Sequence, residues 1–157
     1  MGADDDLDEA DAALFDLALA RRDAGDTVEA IRILQELTER NPKAAFVAGI
    51  LSGLLDDVGD LDGSVYHARR AVELAPRSDL ASRVLLHFLI NNKRDVDGAF
   101  REAARFRTLK GSVEYDRLLG EWENDTLRAL EDAPLDPFLK RLLEAVREEM
   151  RIRPIRQ

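Results

Sequence analysis

Two short acidic motifs in this chain resemble a known ligand site in their residue types and spacing. Residues 60–63 (Asp-Leu-Asp-Gly) and 95–98 (Asp-Val-Asp-Gly) each begin like a calcium loop, in which alternate carboxylates ligate the ion. Such a loop needs a bidentate Glu at its twelfth position, and the residues at that position are Ala71 and Phe106. We therefore expect no calcium site, and we predict that Asp60 and Asp95 are helix N-caps instead.

The sequence contains few other residues that could catalyse a reaction or bind a metal. The chain has no cysteine and two histidines, too few for a zinc finger or a three-histidine metal centre. His67 lies close to Arg69 and Arg70 on a predicted helix, where we expect it to be exposed. His87 stands beside apolar residues, where a packed or hydrogen-bonded role is commoner than catalysis. We predict a protein that is not an enzyme and that holds no cofactor and no metal.

Composition narrows the possible partners. The 157 residues include 32 acidic and 23 basic side chains, for a net charge of −9 and a pI near 4.8. Nucleic acids and anionic membrane surfaces are recognised largely by Lys and Arg, so both are disfavoured. No apolar run reaches the roughly 18 residues of a membrane span, and no secretory signal is recognisable. We expect a cytoplasmic protein whose partner is another protein or a peptide, as a monomer or a homodimer.

Internal repetition is the most informative feature of the sequence. Gly25 and Gly59 are 34 residues apart, and so are Pro42 and Pro76. A third copy of the turn follows Asp60 after 35 residues, and we place the added residue in the turn at 91–94. A fixed period of this length indicates stacked supersecondary units.

Each unit has the pattern of two helices, and no segment alternates with the period of a strand. A Gly-Asp turn separates the helices, and its Asp suits an N-cap. The first helices carry apolar or small residues at helical spacing, namely Leu14, Leu17, Ala18; Ala48, Leu51, Ser52, Leu55; and Ser82, Leu85, Leu86, Leu89. We therefore predict an all-α fold.

These landmarks resemble the tetratricopeptide repeat (TPR) family, over residues 11–111. The matching residues include Leu14, Leu17, Ala18, Gly25, Ala30 and Pro42, then Leu51, Ser52, Leu55, Gly59, Ser64, Ala68, Ala71 and Pro76. Arg21, Arg94 and Gly111 depart from the family pattern. The resemblance implies a helical-repeat solenoid, and the length of the chain predicts a single domain, 1–157. Its segments are an acidic tail (1–10), repeats at 11–44, 45–78 and 79–111, a divergent capping helix pair (112–152) and a tail (153–157).

The last segment repeats the first-helix pattern once more. Tyr115, Leu118, Leu119 and Trp122 have the spacing of Ala48, Leu51, Ser52 and Leu55. Ser112 is a candidate N-cap for this helix, and Asp136 with Pro137 opens a final one. The final helix carries a stripe of Phe138, Leu142, Val146 and Met150. We expect the stripe to cover the open end of the repeat stack, with dimerisation through it as the alternative.

The resemblance also implies a concave groove lined by the first helices. The corresponding residues are Phe15, Leu19, Arg22, Phe46, Gly49, Gly53, Asp56, Arg83, His87 and Asn91. Gly49 and Gly53 each cost stability inside a helix, so they either deepen this groove or allow close packing against a neighbouring helix. Family members that clamp a C-terminal carboxylate use Lys and Asn where this chain has Phe15 and Leu19, which disfavours that ligand.

The predicted function is therefore a non-catalytic adaptor that binds one protein or peptide in the groove, with charge from Asp56 and Asp57 among others. The alternative is a small acidic inhibitor or chaperone, such as a toxin immunity protein or a secretion chaperone, capturing a basic partner. The acidic residues 4–11 and the arginines at 151, 153 and 156 fit either solvated tails or favourable placement at helix ends.

Overall fold

The computed structural model describes residues 7–153, which form eight helices and no strand. The helices are α1 (Glu9–Asp23), α2 (Thr27–Arg40), α3 (Ala45–Asp57), α4 (Leu61–Leu74), α5 (Asp79–Lys93), α6 (Val96–Leu109), α7 (Val113–Asp132) and α8 (Pro137–Ile152). The prediction of an all-α protein is confirmed. None of these helices combines the length and the apolar character that a bilayer-spanning segment needs.

The predicted N-caps are confirmed. The carboxylates of Asp26, Asp60 and Asp95 accept hydrogen bonds from the backbone N–H three residues on, at 3.3, 2.9 and 2.8 Å. Ser112 and Asp136 cap α7 and α8 in the same way, at 3.1 and 3.0 Å. The Asp-x-Asp-Gly motifs are thus helix starts, in which the first carboxylate satisfies an otherwise unpaired amide.

The helices belong to two compact units, Met1–Pro76 and Arg77–Gln157. In the first unit α1 packs on α2, α2 on α3 and α3 on α4. Asp11 near the start of α1 pairs with Arg40 at the end of α2, so these two helices run antiparallel. The core of this unit is apolar and includes Ala18, Ala30, Leu34, Leu37, Val47, Leu51 and Leu55.

In the second unit α5 packs on α6 and α7 on α8, with further contacts between α6 and α8 and between α5 and α7. Its wholly buried side chains include Leu85, Leu86, Leu89, Phe106, Tyr115, Leu119 and Val146. The rings of Phe106 and Tyr115 stack with centroids 5.3 Å apart. The packing of α8 on α6 and α7 shows that the final helix contacts its own chain.

The turn between α5 and α6 differs from the expectation. The added residue was predicted in a loop at 91–94, but α5 continues helically to Lys93, and Arg94 ends it in the left-handed conformation at φ 51°. Arg94 therefore occupies a conformation that Gly25 and Gly59 adopt in the first unit, at φ 84° and 79°. Its guanidinium lies 3.8 Å from the ring centroid of Phe138, a cation–π contact that attaches α8 to this turn.

Two apolar residues lie outside the core expected for them. Leu17 was matched to a large apolar position of the repeat, but its side chain is 42% exposed. In α8, Leu142 and Val146 are buried and Phe138 is half-buried, whereas Met150 is 39% exposed. The buried stripe of α8 is thus shorter than its sequence pattern suggests.

The acidic and basic chain ends act as helix-end residues where the structure describes them. Asp8 is the N-cap of α1, and Asp11 is buried with its carboxylate 2.7 Å from Arg40 and 2.8 Å from the amide nitrogen of Asn41. Arg151 pairs with Glu148. The residues at 4–6 and Arg156 lie outside the described part of the chain.

Candidate partner-binding site

The ten predicted groove residues divide between the two units. Seven lie on α1 and α3 of the first unit, and the other three lie on α5 of the second. We call the first set the α1/α3 face; it consists of Phe15, Leu19, Arg22, Phe46, Gly49, Gly53 and Asp56. Spacings of three, four and seven residues place each helix's members on one side of that helix.

An aromatic pair joins the two helices of the α1/α3 face. The rings of Phe15 and Phe46 meet edge to face with their centroids 5.2 Å apart, an arrangement that aromatic quadrupoles favour. Phe46 is still 38% exposed, and Phe15 and Leu19 are half-buried. The structure therefore brings these predicted residues together and leaves a large apolar ring in contact with solvent.

Gly49 and Gly53 continue the face along α3. A Cβ added at either glycine would meet no heavy atom within 4 Å, and neither has a positive φ. Close packing against a neighbouring helix is therefore wrong as their explanation among the residues that the structure describes. Each costs about 1 kcal/mol of helix stability relative to Ala, and no contact offsets that cost.

Glycines elsewhere in the helices provide a comparison. A Cβ on Gly63 would lie 2.5 Å from Oδ2 of Asp60, so the capping carboxylate occupies the space of a side chain. A Cβ on Gly98 would likewise overlap the capping carboxylate of Asp95. Gly120 in α7 is open like Gly53, and in the alignment of α7 with α3 it falls at the position of Gly53. Gly53 and Gly120 thus share one register within the first helices of their hairpins, and Gly49 lies four residues before that position.

The far end of the α1/α3 face is charged. Arg22 pairs with Asp23 at 2.9 Å, and Asp56 and Asp57 end α3 without a basic residue in its last turn. A helix C-terminus carries partial negative charge, so carboxylates there are unfavourable. Residues 1–76 contain 17 acidic and 7 basic side chains, against 15 and 16 in residues 77–157. The protein's net negative charge therefore belongs to the first unit.

The second unit places its three predicted residues on α5. Arg83 is ion-paired with Asp79. The side-chain amide of Asn91 donates to the His87 carbonyl at 2.9 Å and lies 3.2 Å from Nδ1 of the imidazole. The His87 ring also lies 6.4 Å from Trp122 of α7, centroid to centroid. Trp122 was assigned only to the apolar pattern, although the repeat register of α7 could have placed it near this helix face.

Sequence reasoning missed a buried polar cluster in the second unit. The Ser82 hydroxyl donates to Glu102 at 2.7 Å, and its oxygen lies 2.7 Å from that of Tyr115. Glu102 also accepts from Arg105 at 2.6 Å. Burial raises the pKa of the Tyr115 phenol. The cluster joins α5, α6 and α7, and its Ser82 and Tyr115 side chains are wholly inaccessible to solvent.

A second buried ionic group lies beside the first. Glu149 is 3.2 Å from Arg107 and 3.4 Å from Arg153, whose guanidinium stands 4.6 Å from the Tyr115 ring centroid. Burial raises the pKa of the Glu149 carboxyl, although both arginines act to lower it. These contacts link the end of α8 to α6 and α7.

His67 is half-buried, and the expectation that it is exposed is wrong. It lines a cleft of about 210 Å³ formed by residues of α2, α3 and α4 and the loop before α3. Burial lowers the pKa of its imidazole, opposed by the charge of Asp60. Nearby, Arg70 donates to the Pro42 carbonyl at 3.4 Å, and the Tyr66 ring meets that of His67 with centroids 5.0 Å apart.

Among residues 7–153, no group of His, Asp or Glu side chains is arranged to hold a metal ion. Comparison of the chain with protein-family models and with curated proteins gives no match. The α1/α3 face therefore has to be interpreted from its own chemistry.

Proposed function

We propose that this protein is a TPR-like helical-repeat module that binds a protein or peptide partner through the first helices of its hairpins. Support for the repeat architecture comes from the recurring unit of helix, left-handed Gly and Asp N-cap at Gly25-Asp26 and Gly59-Asp60. The family's solenoid, with its concave groove, remains part of this proposal.

The α1/α3 face carries the binding proposal. A paired but exposed phenylalanine lies next to two glycines that leave open space and lower the stability of their helix. Protein interfaces are enriched in aromatic anchors, and glycine lets another backbone approach closely. A surface that serves only to be hydrated needs neither feature.

Recovery of the partner from the native host tests this proposal. Wild-type protein and Phe46→Asp are used as baits, and co-purifying proteins are identified by mass spectrometry. Tyr66→Asp is the matched control, because Tyr66 is a 67% exposed aromatic residue on α4. We expect a partner that the wild type and Tyr66→Asp retain and that Phe46→Asp loses, with equal helical content in all three. Equal recovery by folded Phe46→Asp contradicts the proposal.

The charge of the first unit favours a second candidate function. A small acidic inhibitor or chaperone, such as a toxin immunity protein or a secretion chaperone, would use this charge to speed the capture of a basic partner. The association rate should then fall steeply between dilute and physiological salt. A rate that is insensitive to salt contradicts this function.

A further inference from the structure

We propose that the α1/α3 face recognises a basic segment in which an apolar side chain precedes or follows Lys or Arg at a fixed distance. This inference rests on the proposed function and specifies the chemistry of the partner. It is carried by the order of groups along the face, which changes from apolar to acidic between one end of α3 and the other.

The apolar end of the face is suited to one inserted side chain. Phe46 is exposed beside Phe15, and the next positions on the same side of α3 are Gly49 and Gly53, with open space above them. A Leu or Phe side chain from a partner can rest on the glycines and contact the Phe46 ring. No heavy atom of the described part of the chain lies within 4 Å of a Cβ built at either glycine.

The acidic end lies on the same side of the helix. Asp57 follows Gly53 by four residues, so the two positions are neighbours on the helix surface. Asp57 is exposed, Asp56 precedes it, and the last turn of α3 contains no basic residue. A cation from a partner would complement both the carboxylates and the negative end of α3.

The distance between the two ends sets the spacing in the partner. Asp57 is 11 positions after Phe46, which corresponds to about 16 Å along a helix. An extended peptide covers roughly 3.3 Å per residue, so about five residues separate its apolar side chain from its cation. The same negative charge disfavours nucleic acid and acidic peptides.

Synthetic peptides test the inference with the full-length protein. The first is a capped octapeptide of Gly and Ser with Leu at position 2 and Arg at positions 6 and 7. A second replaces both Arg with Glu, and a third replaces Leu with Ser. Each is titrated into ¹⁵N-labelled protein and followed by amide chemical shifts. We expect the first to shift resonances of α1 and α3 saturably, and the other two to bind at least tenfold more weakly.

The variant Asp57→Lys separates recognition from folding. A cation is favourable at the C-terminus of α3, so this variant should be at least as stable as the wild type while binding the Leu/Arg peptide roughly three- to tenfold more weakly. Glu39→Lys is the matched control, because it makes the same charge change at an exposed position on α2. It should bind like the wild type.

Several outcomes overturn the inference. They are equal binding of the Glu peptide, unchanged affinity in Asp57→Lys, shifts that map away from α1 and α3, and no saturable binding by the Leu/Arg peptide at millimolar concentration. These results leave the proposed function standing if Phe46→Asp still loses its natural partner. Retention of that partner by Phe46→Asp would instead contradict the proposed function itself.

Discussion

The hydroxyl oxygens of Ser82 and Tyr115 lie 2.7 Å apart in the interior of the second unit, where neither side chain is reached by solvent. The same serine donates to the buried Glu102. One small hydroxyl therefore provides a hydrogen-bond partner to two larger groups from two other helices, and its removal leaves both short of a partner.

Loss of the Ser82 hydroxyl should therefore lower the stability of the folded protein. Ser82→Ala should lower the free energy of unfolding by about 1–3 kcal/mol, because buried polar groups lose their partner. Tyr115→Phe should cost about 1 kcal/mol, since the ring stacking on Phe106 is retained. Urea unfolding of both variants and the double variant measures the coupling. Strictly additive costs would show that the two hydroxyls do not act together.

The open glycines of α3 should respond to alanine in the opposite sense from a glycine that contacts a cap. Gly53→Ala should raise the free energy of unfolding by about 1 kcal/mol, since the added methyl group meets no atom and alanine favours the helix. Gly63→Ala should lower it, because its Cβ would displace the capping carboxylate of Asp60. Urea unfolding compares the two. Destabilisation by Gly53→Ala would show that this face is already covered.

His67 should make stability depend on pH. Burial lowers the pKa of its imidazole in the folded protein, so the neutral form is favoured there and the unfolded chain binds the proton more readily. This contribution is complete above the ordinary pKa of about 6.5 and is lost as the pH falls below it. Thermal melts between pH 7.5 and 5.5 measure the slope. It should diminish in His67→Gln and persist in His87→Gln, and equal slopes would contradict the assignment.

Helix α8 should be necessary for the stability of the second unit. Truncation after Asp132 removes the buried Leu142 and Val146, each contributing about 1.5–3 kcal/mol before chain entropy is subtracted. We expect a sharply lower melting temperature and a red shift in Trp122 fluorescence. A truncated chain that melts like the full one, but changes from dimer to monomer on sizing, would assign the helix to an intermolecular role.

Local features of this fold could be predicted from the sequence, and features formed across helices could not. The caps at Asp26, Asp60 and Asp95 depend on bonds to residues three positions on, so a short motif specifies them. The Ser82–Tyr115 contact joins residues 33 apart. Ser82 is a polar residue at a position that the helical pattern predicts to be buried, and this alone indicated that it needs a polar partner.

The candidate site shows the same division. Helical spacing placed Phe15, Phe46 and the two glycines on common helix faces, and the repeat register placed those faces side by side. The open space at Gly49 and Gly53 depends on what the rest of the chain leaves uncovered, which periodicity does not report. The added residue near Arg94 lengthens α5 instead of the loop. Arg94 ends the helix in the left-handed backbone conformation, and its side chain contacts Phe138.

Packing of each of the first four helices on its neighbours in the chain has a consequence for synthesis. The first unit ends at Pro76, so at least the 81 residues at 77–157 are still to be translated when its last helix has been made. At about 5–20 residues per second, that interval is roughly 4–16 s, whereas helical proteins with local contacts fold in microseconds to milliseconds. We therefore expect the acidic unit to be folded while the ribosome is still adding the second, so the α1/α3 face is formed before the polypeptide is released.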